Sequence, residues 1–169
     1  MNYVTHQQLA ERPGARELAQ VATAQHERVV AAELMEATLL DQDRSTWPAD
    51  EVAVADDALQ RIDDAISDAQ AQIDGFLARR GYLPLDPVPR VVSNWARAIT
   101  RYLLHKDRLS SDDGSDPIVR DYRDALKLLQ LTADGKFSLG ANDSQASQGA
   151  GSPEFRTGMT TFRDNLGDY

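Results

Sequence analysis

The sequence predicts an all-α protein, a small helical bundle built on a long antiparallel α-hairpin, with an extended C-terminal tail. Three observations carry that prediction. Residues 57–77 and 90–108 both repeat apolar side chains at helical spacing, the connector of residues 81–89 is short and rich in proline, and the composition changes abruptly beyond residue 140. In the first helix Leu59, Ile62, Ala65, Ile66, Ala69, Ile73, Phe76 and Leu77 share one wide apolar sector, with Asp57, Asp64 and Asp68 on the opposite side. In the second, Val91, Val92, Trp95, Ala96, Ile99, Tyr102 and Leu103 share a face opposite Arg90, Arg97, Arg101 and Arg108. One helix thus carries an acidic stripe and its neighbour a basic one. Between them, Gly81 is placed to end the first helix in a left-handed conformation. Pro84, Pro87 and Pro89 each remove a backbone donor and push the preceding residue out of the helical region. A link this short and stiff folds the second helix back along the first.

The remaining elements follow in order. Thr5 is a good N-cap for a short helix from His6, anchored by Leu9 and interrupted at Pro13 and Gly14. A second short helix places Leu18, Val21 and Ala22 on one side. Residues 25–40 carry a further helical pattern through Val29, Val30, Ala32, Leu34, Met35, Ala37 and Leu39, either continuing the second helix or standing apart from it. Residues 41–55 read as acidic and irregular, with Trp47 and Pro48 docking a loop on the core, and the long helix is expected to begin at Ala55 or Asp56. Gly75 inside that helix serves either close backbone contact or no purpose of its own. Residues 110–116 form a loop, and Asp116 followed by Pro117 supplies an N-cap with proline at the first helical position. The third core helix turns Ile118, Tyr122, Ala125, Leu126 and Leu129 inward and ends near Asp134 and Gly135, before a brief extended segment at 136–139.

The domain organisation expected is a core of residues 1–140, with an acidic helical and loop insertion at about 23–55, and a tail of residues 141–169. From Gly140 to Gly158 the composition shifts towards Gly, Ser, Ala, Gln and Asn, which cannot bury enough apolar surface to fold alone. Apolar and aromatic groups return at its end, and Phe155, Met159, Phe162, Arg163, Leu166 and Tyr169 are the candidate contacts of the tail with a partner. At roughly 3.3 Å per residue the tail reaches on the order of 95 Å when extended.

Composition narrows the function classes. The chain has 169 residues, 41% of them hydrophobic and 27% charged, suited to one domain with extensions. No apolar run is long enough to cross a bilayer, and the N-terminus lacks a signal-peptide pattern. The absence of cysteine excludes disulfides, thiolate zinc sites and cysteine nucleophiles. A net charge of −9 and a pI near 4.7 argue against a broad grip on nucleic-acid phosphates. His6, His26 and His105 lie on three segments without a carboxylate spacing that makes a metal site, and His105, extending the basic helix, is expected in solvent. Adjacent aspartates such as Asp56 with Asp57, or Asp63 with Asp64, point about 100° apart on a helix and do not converge on one atom. The loop of residues 112–116 lacks the distal glutamate of a calcium loop, and no nucleophile elbow, Walker or dinucleotide fingerprint is present. No catalytic site, cofactor or metal is expected.

Several stretches taken together resemble the Mu-like bacteriophage head–tail connector, or adaptor, family. They are the run Ile73, Asp74, Gly75, Phe76, Leu77 within residues 69–77, the connector from Tyr82, Leu83, Pro84 and Leu85 to Pro89, and residues 99–107 with Tyr102 and Leu103. The helix of residues 116–129, the close Gly135, Lys136, Phe137, Ser138, Leu139, Gly140, and the terminal Phe162, Arg163, Asp164, Asn165, Leu166 complete the set. The resemblance covers residues 3–21 and 57–140 and the final residues, whereas residues 23–54 are longer and more helical than the family leads one to expect. It implies a structural protein of the virion neck, assembling in the host cytoplasm. Such a protein forms a homo-oligomeric ring, commonly of twelve copies, under the portal protein and bears the next neck or tail protein. Packaged double-stranded DNA passes through its lumen without sequence-specific binding, and no membrane is involved. A ring needs one patch to meet a different patch on the next copy. The stripes of Asp57, Asp64 and Asp68 and of Arg90, Arg97, Arg101 and Arg108 are the candidate patches, so charge reversal at Arg97 and Arg101 is expected to impair closure. The alternative is a helical DNA-binding or regulatory module using the basic stripe of residues 90–108. A stopper or tail terminator of the same neck is a third reading, in which more β structure is expected.

Overall fold

A computed structural model of the chain, describing residues 2–109 and 116–140, is all-helical, with no strand among the described residues. Helix α1 (His6–Leu9) opens with a reciprocal cap. The Thr5 hydroxyl accepts from the Gln8 N–H at 3.2 Å, and the Gln8 side chain accepts from the Thr5 N–H at 3.0 Å. The chain kinks where Arg12 is extended and Gly14 takes φ 108°, then enters α2 (Ala15–Ala22). Thr23 ends α2 and answers the open boundary beyond it. Its hydroxyl donates to the Ala19 carbonyl at 2.6 Å and accepts from the Val30 N–H at 3.3 Å, so residues 24–31 loop out between these two ends. Only Ala32–Leu39 of the expected 25–40 pattern is helix, α3.

The long helix α4 (Ala49–Leu77) starts six residues before the earlier of the two expected positions, Ala55. Pro48 supplies an extended N-cap, Asp50 and Glu51 favour the positive end of the helix dipole, and Trp47 packs beside them on the core. The acidic segment read as irregular is therefore irregular only to Pro48. Ala55, Ala58, Ile62, Ala65, Ile66, Ala69, Ile73 and Leu77 are buried, while Leu59 and Phe76 stand at the edges of that face. Gly81 ends the helical stretch at φ 71°, as expected of a left-handed terminator.

Helix α5 (Arg90–His105) buries Val92, Trp95, Ala96, Ile99 and Thr100. The connector sets its first turn beside the end of α4, and its last residues share a groove with Asp64 and Asp68, so the hairpin is antiparallel. Helix α6 (Pro117–Ala133) begins under Asp116, whose carboxylate accepts from the Ile118 N–H at 2.7 Å. Its buried row is Val119, Ala125, Leu129, Thr132 and Ala133; Val119 is buried in place of the expected Ile118, which, in the first turn, is only half-buried. Residues 136–140 run on irregularly and lay Phe137 and Leu139 on the core, with the Phe137 ring 6.0 Å from Trp95. The helices surround α4: α5, α6, α2 and α3 all pack on it, with α5 also against α6, α2 against α3, and α2 touching α5. Residues 110–115 and the tail lie outside the described residues.

Two glycines give a paired test. A Cβ at Gly75 meets nothing within 4 Å, which removes close contact as its role. At Gly135, φ is 74° and a Cβ falls 2.2 Å from an Arg80 guanidinium nitrogen. Urea denaturation should show Gly75→Ala stabilising by about 0.5–1 kcal/mol and Gly135→Ala destabilising by about 1–2 kcal/mol.

Candidate assembly surface

The acidic stripe is where the sequence places it. Asp57, Asp64 and Asp68 are all exposed on α4. Asp57 pairs with Arg61 one turn on at 2.9 Å, and Asp64 accepts from the Gln60 amide at 3.0 Å. Exposed pairs of this kind hold little energy, so these carboxylates remain available to a partner. Asp64 and Asp68 also face Leu103, Leu104, Lys106 and Arg108 across a groove of about 380 Å³. The two stripes therefore already meet within one chain along part of their length.

The basic stripe is divided by the fold. Arg90 and Arg108 are exposed at either end of α5. Arg101 turns inward and makes a forked pair with Glu17 of α2, Nε and Nη2 donating to the two carboxylate oxygens at 2.6 and 2.8 Å. The His105 ring lies 2.9 Å from the same Glu17 carboxylate and is half-buried, which corrects the expectation that it sits in solvent. Arg97 lines a cleft of about 580 Å³ between the start of α2, α5 and α6. Its Nε is buried with no hydrogen-bond partner among the described residues. Arg12, Arg97 and Arg101 face Glu17, Asp121 and Asp124 there, so the cleft carries both signs. Reversing Arg101 would set two carboxylates together inside the chain, and its effect on closure could not be separated from its effect on the fold.

Burial pushes the Glu17 carboxyl up, but the hydrogen bonds from Arg101 and His105 outweigh it and hold the group below the usual glutamate range. The Arg101 guanidinium is shifted up, chiefly by its hydrogen bond to Glu17 and against burial. At the rim of α5 and α6, Tyr102 and Tyr122 stack with centroids 3.9 Å apart, and burial raises the Tyr122 phenol. Further ties fix the N-terminal segment to α4: Tyr3 donates to Asp74, His6 meets Asp63, and Arg61 donates to the Ala22 carbonyl at 3.2 Å. Sequence reading missed Glu17 because it sits 84 positions from Arg101 and 88 from His105. The available signal was a lone carboxylate on the amphipathic α2, beside Leu18.

Charge is segregated along the bundle. Residues 33–57 hold eight carboxylates and a single arginine, Arg44, which is itself paired with Asp56. The other end of α4 carries Arg79 and leads to Arg90, both exposed. Among the described residues no group of histidine and carboxylate side chains is placed to hold a metal ion, and no helix is long and apolar enough to cross a membrane. The tail candidates Phe155, Met159, Phe162, Arg163, Leu166 and Tyr169 lie outside the described residues.

Comparison with known proteins matches residues 3–157 to the model of a family described as "Bacteriophage Mu, Gp36". The chain is 36% identical over 83 residues to the Mu-like prophage FluMu protein gp36 of Haemophilus influenzae, covering 49% of this chain and 55% of that protein. It is 33% identical over 99 residues to Gene product J of Escherichia phage Mu, covering 59% of this chain and 62% of that protein. The aligned stretch thus spans between half and two thirds of the length of each relative.

Because the bond set holds Glu17 below its ordinary range, its stabilising contribution is full above the unfolded-state pKa and is lost as pH falls through the folded one. Glu17→Gln should therefore be less stable than the parent at neutral pH, and the gap should close on acidification below the usual glutamate range. Denaturation curves of both proteins across that range check this.

Proposed function

Since this chain belongs to the Bacteriophage Mu Gp36 family, we propose that it is a structural protein of the phage neck, a head–tail adaptor rather than an enzyme. In this reading twelve copies assemble as a ring under the portal, extend the DNA channel, and offer a platform to the next neck or tail protein. The observation that carries the proposal is the segregation of exposed charge on one rigid bundle of this phage family: Asp57, Asp64 and Asp68 with the acidic residues before them, against Arg79 and Arg90 at the far end of the hairpin. Unlike patches on one copy are what cyclic assembly requires. Their charges specify register and partner more than they add affinity. The tail supplies the contact with the portal, or with a neighbouring copy, through Phe155, Met159, Phe162, Arg163, Leu166 and Tyr169. The place of action is the virion head–tail interface, reached from the host cytoplasm.

The overall acidity also serves this role, since carboxylates near a channel repel DNA and leave it free to slide. The alternative of a DNA-binding module on residues 90–108 has less physical support. Arg101 is committed to Glu17, and Arg90 and Arg108 are separated by the whole of α5, about 22 Å from Arg90 to His105 at 1.5 Å per residue.

Light scattering of the purified protein with and without the portal of its phage tests the proposal. A multi-copy complex on the portal is expected; a protein that ignores the portal and binds free DNA in a salt-sensitive way would replace it with the alternative. Removal of residues 151–169 should leave the helical spectrum of the core intact and weaken portal docking. Undiminished docking by the shortened chain would refute the role of the tail.

A further inference from the structure

The acidic end of the bundle carries a groove of about 350 Å³ where residues 27–34 pass the first turns of α4. Val29, Leu34 and Val54 make its apolar lining, and Glu27, Asp50 and Glu51 make its rim. Val29 is 51% exposed and is the one large apolar side chain so exposed among the described residues. An apolar lining with an acidic rim marks a contact surface for a partner that is itself apolar with a basic edge.

Such a surface stands at the opposite end of the same molecule. From Glu51 to Leu77 α4 advances about 39 Å. There Leu83, Leu85 and Val88 of the connector are only half-buried, and the exposed Arg79 and Arg90 flank them. We propose that the connector end of one copy seats in the groove of a second copy, Leu83 and Leu85 against Val29 and Val54, with Arg79 and Arg90 facing Asp50 and Glu51. This rests on the ring assembly proposed above and names its contact. Asp86 on the connector and Arg28 on the lip of the groove, both exposed and each opposite in sign to its surroundings, meet in the same docking. Two acidic ends repel, as do two basic ends, so charge excludes the pairing of like ends and sets the connector end of one copy on the groove end of another. The contact joins different patches at opposite ends of the molecule. Where the two ends of a copy engage two different neighbours, each added copy presents a fresh groove and growth stops only when the ring closes. An antiparallel pair would stop at two copies and give no ladder.

The native chain has no cysteine, so introduced thiols report without background. Full-length Val29→Cys and Leu85→Cys, two sites outside the fully buried core, are mixed at high concentration and oxidised, and the double variant is treated alone. A Val29–Leu85 cross-link and, from the double variant, a ladder of linked copies are expected. A yield no greater than that of a control pair, Val29→Cys with Lys127→Cys, overturns the contact, as does preferential linking of Val29→Cys to Phe162→Cys, which gives the groove to the tail. Reversal of Asp50 and Glu51 to lysine should cut the cross-link by about tenfold, and Arg79→Glu with Arg90→Glu on the other copy should restore it. Failure of that rescue also overturns the contact. Portal-bound rings that stay unlinked sink this contact and leave the adaptor reading intact, whereas ladders from a protein that ignores the portal uphold the contact and remove the adaptor reading.

Discussion

A helix as long as α4, with an apolar sector running from Ala55 to Leu77, holds together in water only where neighbours cover that sector. Ala58, Ala65 and Ala69 let backbones approach closely along it, and Ile62, Ile73 and Leu77 fill the space between. One neighbour cannot cover so wide a face, and α5, α6, α2 and α3 all pack on it. The edge of the face is finished by polar ties. Asp56, Asp63 and Asp74 fall within about 20° of one another on the wheel at 100° per residue. They hold Arg44, His6 and Tyr3 respectively, so each draws a flanking segment onto α4. Asp57, Asp64 and Asp68 occupy a separate row and stay exposed. The acidity of α4 is thus two rows with two tasks: one row fastens the wrapping segments, and the other is left to solvent or a partner.

The Glu17 cluster makes the same point on the basic side. α2 meets α5 through a carboxylate that satisfies both Arg101 and His105, and the desolvation of that carboxylate is offset because its two donors converge on it. A cation committed in this way fixes the angle between helices and is lost to any outside contact.

Much of this architecture is legible in the chain. Thr5, Gly81 and Asp116 cap helices through local chemistry that needs no tertiary knowledge, and the period of 3.6 finds the buried rows of α4 and α5. The start of α4 was hidden because residues 49–57 mix carboxylates with Val52 and Val54 and show no clear apolar row; Pro48 followed by Asp50 and Glu51 was the signal, and it is a helix start. Helical periodicity also separates faces without saying what stands opposite them. It placed Arg97, Arg101 and Arg108 on one side of α5, but only the packing of α2 and α6 assigns them to a mixed cleft, an internal ion pair and a free end.

That internal use of charge narrows where copies of the chain can meet. The flank of α5 is taken up by Glu17 and by the cleft against α6, and the tied row of α4 is taken up by the N-terminal segment and Arg44. Exposed charge mainly of one sign, beside apolar surface, is left chiefly at the two ends of the hairpin, with Asp86 and Arg28 as the exceptions. A long helix with opposite charge at its ends is polar in the geometric sense, because it has a direction that sets unlike ends together. The proposed head-to-tail arrangement uses both ends in every copy. In that proposed arrangement the length of α4 sets the spacing between successive contacts, while the angle at the seat of the connector in the groove sets the curvature.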